Sequence, residues 1–287
     1  MYKPIFSKSI FIGIASLTML VISSCSESDS SKQHQTDNAN QQVSVNNQGT
    51  GDNQGTGDNQ GTDENTEIPS EFTENVYNGD ISIKYLLYKP KNATENMPLI
   101  VYLHGGSSKG DDLSLLTANT GFPQYLKEGQ LGDVPAYVIM PQLSQNYMGW
   151  DKIGSDLILF IDEISESRDI DTSNISLTGH SMGGTGVWNI ALTYPDKFAR
   201  IVPMSGSIKD TKTNINTLSK LPIWTFVGSA DTIVAPDSAI TFIEKLEKVN
   251  TQAKITVIEG ATHFDVPNAY LDETYNVVQW LITKPEQ

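Results

Sequence analysis

Residues 175–187 read I-S-L-T-G-H-S-M-G-G-T-G-V. A short β-prone run ends in Gly179, Ser181 stands between small residues, and a helix-forming segment follows. Gly179-His180-Ser181-Met182-Gly183 fits the pattern G-x-S-x-G, which carries weight only where it joins a strand to a helix, as it does here. A reversal that sharp strains the serine backbone, and glycines two before and two after it let the chain pass its neighbours. The helix start beyond Ser181 brings unpaired N–H groups and the positive end of a dipole to a developing oxyanion. The stretch therefore predicts a strand–turn–helix with Ser181 as nucleophile.

The segments around it set the fold class. Phe72–Tyr77 and Ile81–Tyr88, separated by Asn78-Gly79, read as an antiparallel hairpin. Six apolar runs follow, at 99–104, 136–141, 175–179, 200–206, 222–228 and 254–260. Continuous apolarity marks strands buried on both faces, and hence a mostly parallel sheet. Helices are expected near 122–129, 155–168, 182–194, 236–249 and 269–282, with Asp237 after Pro236 charging the start of one of them. Right-handed crossovers place them on both faces of the sheet. Ligands in such sheets bind at the carboxyl ends of the strands, so the loops after these runs hold the chemistry.

A serine needs a base. Of the four histidines, His34 lies in a polar leader segment, His180 adjoins the nucleophile, and His104 ends a strand. His263, in E-G-A-T-H-F-D after the sixth run, is the remaining candidate. Asp231, at the carboxyl end of the 222–228 run, is favoured to orient the imidazole and stabilise its charged form. Asp237 is better explained at a helix start, and Asp265 lies too near His263 in sequence to approach the ring from behind. Met182 N–H is one expected oxyanion donor. Gly106, in H-G-G-S-S-K-G-D-D, is the choice for the other, with Gly105 and Ser107 as neighbouring alternatives.

From about residue 72 onward the chain resembles an α/β-hydrolase of the esterase and predicted-peptidase group, near the feruloyl and acetylxylan esterases and polyhydroxybutyrate depolymerase-like proteins. The resemblance rests on PLIVYLHGGSSKGDD, VIMPQ, GWD, ISLTGHSMGGTGVWNIALTYPDKFARIVPMSG, PIWTFVGSADTIV and GATHFDV. The order Ser181, Asp231, His263 is that of the α/β-hydrolases. The resemblance implies ester hydrolysis through an acyl-enzyme, without a metal or other cofactor. The S-S-K-G stretch after H-G-G is where related proteins vary. Gln142, Tyr147, Met148 and Trp150 follow the 136–141 run and could wall an acyl or sugar site, with Phe264 beside the base. Only about 15 residues separate the 200–206 and 222–228 runs, which leaves little for a lid and suits exposed or polymeric esters. A serine peptidase of the same fold and a non-catalytic glycan-binding protein are the alternative readings.

The chain's first 68 residues differ in character. Lys3 and Lys8 precede an uncharged, largely apolar stretch from Ser9 to Ser24 that is short for a membrane span. V-I-S-S-C, ending at the chain's single cysteine, Cys25, resembles a bacterial lipobox, with residues 1–24 as signal peptide and Cys25 as the lipidated first mature residue. Ser26 after it resembles the sorting signal of outer-membrane lipoproteins. A cell-envelope protein held to the membrane by a lipid is thus expected, with no cysteine left for a disulfide. Residues 25–68 are polar and repeat QGTGDN, QGTGDN, QGTDEN from Gln48 to Asn65. Such a segment reads as a flexible tether with a reach on the order of 35–40 Å. The formal charge of −15 over 287 residues leaves −10 on residues 69–287, the expected catalytic domain. With no basic stripe, nucleic acid is excluded as a partner, and an ester substrate, polysaccharide included, is expected.

Overall fold

The computed structural model describes residues 70–284. The expected signal peptide, Cys25 and the tether lie outside the described residues. Eight strands form one sheet: β1 (Glu71–Asn78), β2 (Ser82–Lys89), β3 (Met97–Leu103), β4 (Tyr137–Pro141), β5 (Ile170–His180), β6 (Arg200–Met204), β7 (Ile223–Gly228) and β8 (Ala253–Ile258). Their order is β1-β2-β4-β3-β5-β6-β7-β8. The β1–β2 and β2–β4 pairs are antiparallel, and every other pair is parallel. This is the mostly parallel sheet expected from the runs, with an antiparallel hairpin at one edge, and it has the α/β-hydrolase arrangement that the resemblance implies.

Alternation along the strands feeds two cores. In β3, Leu99, Val101 and Leu103 join one cluster, while Ile100 and Tyr102 join the other. The first cluster is closed by α2 (Gly154–Ser167), α3 (Met182–Thr193) and α5 (Asp237–Leu246). The second is closed by α1 (Phe122–Lys127) and α6 (Val277–Ile282). The helices earn their places by spacing. In α2 the buried residues include Leu157, Phe160, Ile161 and Ile164, and in α5 they are Ala239, Phe242, Ile243 and Leu246. Each set is a single apolar stripe of period 3.6.

One expectation needs correction. The helix read over 269–282 is a 3-10 turn (Val266–Tyr270), an irregular stretch and the short α6. Asp272 caps Thr274 N through its side chain at 2.8 Å, and its carbonyl takes the N–H groups of Tyr275 and Asn276. Local hydrogen bonds thus compete with the helix there. A further short helix, α4 (Lys212–Thr217), lies between β6 and β7, where the sequence left little for a lid; it buries none of its residues. Asp237 lies in the first turn of α5, with Pro236 at the cap position.

The chain leaves β3 toward β4 and then returns to β5 on the other side of β3. At this reversal the loops after β3 and β5 diverge, opening a crevice at the strands' carboxyl ends.

Candidate active site

Ser181 sits at the tip of the turn between β5 and α3 with φ 61° and ψ −121°. For a residue with a side chain this is a strained conformation, costing about 1–3 kcal/mol, that only a well-braced turn maintains. The bracing is visible. Ser181 N–H donates to Met204 O at 3.0 Å, and Ser181 O accepts from Thr185 N at 2.9 Å. Behind it, a Cβ on Gly183 would stand 1.8 Å from Leu103 O. The helix can therefore approach β3 only because residue 183 has no side chain.

His263 reaches Ser181 from the loop after β8. Its Nε2 lies 2.8 Å from Ser181 Oγ, and its Nδ1 lies 2.7 Å from Asp231 Oδ2. Asp231 and His263 are both buried. The other carboxylate oxygen of Asp231 accepts from Ile233 N and Val234 N, each at 2.9 Å. Burial alone would raise the Asp231 pKa. The Val234 N–H, the His263 contact and the Ile233 N–H outweigh it, so the group is held below its ordinary value. An ionised carboxylate only accepts, so His263 Nδ1 carries the proton. Nε2 is then a lone-pair acceptor facing the Ser181 hydroxyl. The structure thus brings Ser181, Asp231 and His263 into one hydrogen-bonded chain. Asp265 stands outside it, accepting from Thr262 N at 2.8 Å and from the Thr262 hydroxyl at 2.5 Å.

The two remaining histidines of the domain are supports. His104 Nε2 accepts from Leu143 N at 2.9 Å, which leaves Nδ1–H to donate to Gly105 O at 2.6 Å. Burial lowers its pKa to about 4. His180 Nε2 donates to the carbonyl of His263 at 2.8 Å. Burial first, and then the neighbouring His263, lower its pKa to about 4.

Met182 is the first residue of α3, where N–H groups have no intrahelical acceptor. Gly106 opens a 3-10 turn (Gly106–Ser108), and a Cβ on it would meet nothing within 4 Å. Neither N–H is taken up by a backbone acceptor among the described residues. Gly106 and Ser181 line the same cleft of about 630 Å³.

Two expectations about the cleft wall are corrected. Trp150, 1% exposed, packs beneath the site rather than walling it. Its Nε1 donates to His104 O at 3.1 Å, and Gly186 in α3 makes room for it, since a Cβ there would lie 2.7 Å from Trp150 Cβ. Gln142, 4% exposed, donates through Nε2 to Ser108 O at 3.0 Å and Asp112 O at 2.7 Å. It anchors the loop that carries Gly106. Met148 is exposed, and neither it nor Tyr147 lines the cleft. The cleft wall comes instead from Leu116, Asn119, Gly121 and Pro123 after β3, with Phe264 and Asn268 after β8. Of these the sequence reading named only Phe264. T-A-N-T-G-F-P, residues 117–123, held a usable signal in its turn-forming residues.

Part of a bifunctional acetylxylan esterase/xylanase of Neocallimastix patriciarum is 28% identical over 125 residues, covering 42% of this chain and 17% of that protein. Among solved structures, a thermostable esterase superposes with a TM-score of 0.61 at 24% identity, over 73% of this chain and 62% of that one. The feruloyl esterase module from Clostridium thermocellum gives 0.60 at 15%, over 76% and 90%. This chain therefore spans less than two thirds of the curated relative and of the thermostable esterase, and the solved structures attest a shared fold. Residues 125–276 match the dienelactone hydrolase family. That match runs from α1 to just before α6, takes in Ser181, Asp231 and His263, and covers more than half of the sequence, so the chain belongs to the dienelactone hydrolase family.

Proposed function

We propose that the domain is a serine carboxylic-ester hydrolase acting on acylated carbohydrate. The observation that carries this reading is the chain Asp231–His263–Ser181, with spacings of 2.7 and 2.8 Å, at the floor of an open cleft. Ser181 Oγ attacks the ester carbonyl while His263 Nε2 takes its proton, and Asp231 stabilises the imidazolium. The carbonyl oxygen becomes an oxyanion held by the N–H groups of Met182 and Gly106. The tetrahedral intermediate collapses, the C–O bond to the alcohol breaks, and His263 returns the proton to that alcohol. A water then attacks the acyl-enzyme by the same route, releasing the acid and restoring Ser181.

The similarity to part of a bifunctional acetylxylan esterase/xylanase supports the carbohydrate-ester part of the reading. The lipobox resemblance at Cys25 extends it to a lipid-anchored protein of the cell envelope, with residues 25–68 as tether. Acyl-chain labelling lost in Cys25→Ala checks that extension. The activity is tested with acetyl, feruloyl and peptidyl substrates on protein lacking the first 68 residues. Ester turnover should fall by at least about a thousandfold in Ser181→Ala, and a fluorophosphonate should label wild type alone. Undiminished activity in Ser181→Ala sinks the reading, and preference for the peptidyl substrates replaces it with a peptidase.

A further inference from the structure

Tyr102 lies next to last in β3, 5% exposed, with its ring stacked on Phe122 at a centroid distance of 5.6 Å. The neighbouring buried tyrosines are satisfied. Tyr125 donates to Asn268 Oδ1 at 2.6 Å, and the Tyr270 hydroxyl pairs with Thr178 Oγ1 at 2.5 Å. The Tyr102 hydroxyl has no hydrogen-bond partner among the described residues, yet it is not one of the unpartnered atoms shut off from solvent, and Tyr102 lines the same cleft as Ser181. Facing the cleft, that hydroxyl is left to water or to a substrate oxygen, and a substrate that replaces the water gains a directed hydrogen bond of about 0.5–1.5 kcal/mol. Gly121 keeps the approach open: a Cβ there would lie 3.7 Å from the hydroxyl, and its φ of 154° suits glycine alone.

Resting on the ester-hydrolase reading, we propose that Tyr102 determines specificity by hydrogen-bonding a neutral oxygen on the substrate, away from the ester bond. The rest of the wall fits such a group. Leu116, Pro123, Ile233 and Phe264 supply apolar surface, and Asn119 and Asn268 supply amides. No lysine or arginine lines the cleft among the described residues, so an ionised acyl or alcohol group finds no counter-charge. Asp265, the one carboxylate there, is engaged by Thr262. Burial pushes the Tyr102 pKa up, keeping its proton available for donation. The fitting substrate is an ester whose compact ring or chain bears a hydroxyl, ether or carbonyl oxygen.

Tyr102→Phe is a clean probe, because it breaks no hydrogen bond inside the protein and should leave the melting temperature unchanged. One substrate pair varies the acyl side: para-nitrophenyl esters of phenylpropanoic and para-hydroxyphenylpropanoic acids. A second varies the alcohol side: acetates of phenylethanol and of its para-hydroxy analogue. Wild type should favour the hydroxylated member of one pair by about tenfold in kcat/KM, worth roughly 1.4 kcal/mol. In Tyr102→Phe that ratio should fall to near one, through loss on the hydroxylated ester alone. A wild-type ratio near one in both pairs, or a ratio unchanged in the variant, overturns the proposal while leaving ester hydrolysis standing. Absence of turnover on all four esters and on para-nitrophenyl acetate removes the ester-hydrolase reading, and this proposal with it.

Discussion

His180 donates its Nε2–H to the backbone carbonyl of His263 at 2.8 Å, and the two rings lie 4.6 Å apart. The residue preceding Ser181 thereby holds His263, the base of the proposed mechanism. This couples two loops, after β5 and after β8, that share no strand pairing. His180→Ala should therefore let the His263 loop drift. Because displacements of about 1 Å cost up to a hundredfold, kcat should fall ten- to a hundredfold with KM for a small aryl ester nearly unchanged. Steady-state kinetics check this, with thermal melting as the control for folding. An unaltered kcat would show that the carbonyl contact positions nothing.

Buried neutral imidazoles make stability depend on pH. His104 and His180 are both held near 4, chiefly by burial, against about 6.5 in an unfolded chain. Between those values the unfolded chain binds protons that the native protein refuses, so stability falls as pH drops through this window. Two such groups give a slope of at most about 2.7 kcal/mol per pH unit, and none above neutrality. The lowered carboxyl of Asp231 works in the same direction at still lower pH. Urea unfolding across this range measures the slope, which should fall by about half in His180→Ala. A stability independent of pH there is the contrary result.

Two glycines near Ser181 should respond oppositely to one added methyl group. At Gly183 a Cβ would overlap Leu103 O at 1.8 Å, backbone against backbone, with no side chain to move aside. Gly183→Ala should cost several kcal/mol, on the order of 3–5, and leave little soluble protein. At Gly106 a Cβ meets nothing within 4 Å, but it projects where the cleft opens. Gly106→Ala should melt with wild type and lose turnover, because in the proposed mechanism the methyl group stands where substrate approaches the oxyanion donors. Calorimetry together with aryl-ester kinetics separates the two cases.

The sheet was legible because a strand buried on both faces has a composition of its own, and the six runs match β3 to β8. The chain Ser181–His263–Asp231 was legible because few residues could supply those roles at strand ends. The wall of the cleft was not. Trp150 and Tyr102 are both aromatic and both stand near loops at the active end, yet one supports the floor and the other faces the opening. That difference depends on which way a turn sends the side chain, and local pattern does not encode it. The reversed fates of Gln142 and Asn119 have the same origin. Gly186 was the overlooked clue, since a glycine inside a helix usually marks something packed closely against it, here Trp150.

Whatever precedes Ser70 joins the domain through β1, an edge strand that pairs only with β2. Tension applied there is borne first by the eight-pair ladder from Glu71↔Lys89 to Asn78↔Ser82. Beyond it lie β2, β4 and β3 before the strands that carry Ser181, Asp231 and His263 are reached. Peeling β1 away breaks no contact of those three residues. The half of the sheet that carries Ser181, Asp231 and His263 is therefore mechanically insulated from the end at which the described residues begin, and a pull at Ser70 would unzip a hairpin before it disturbed Ser181.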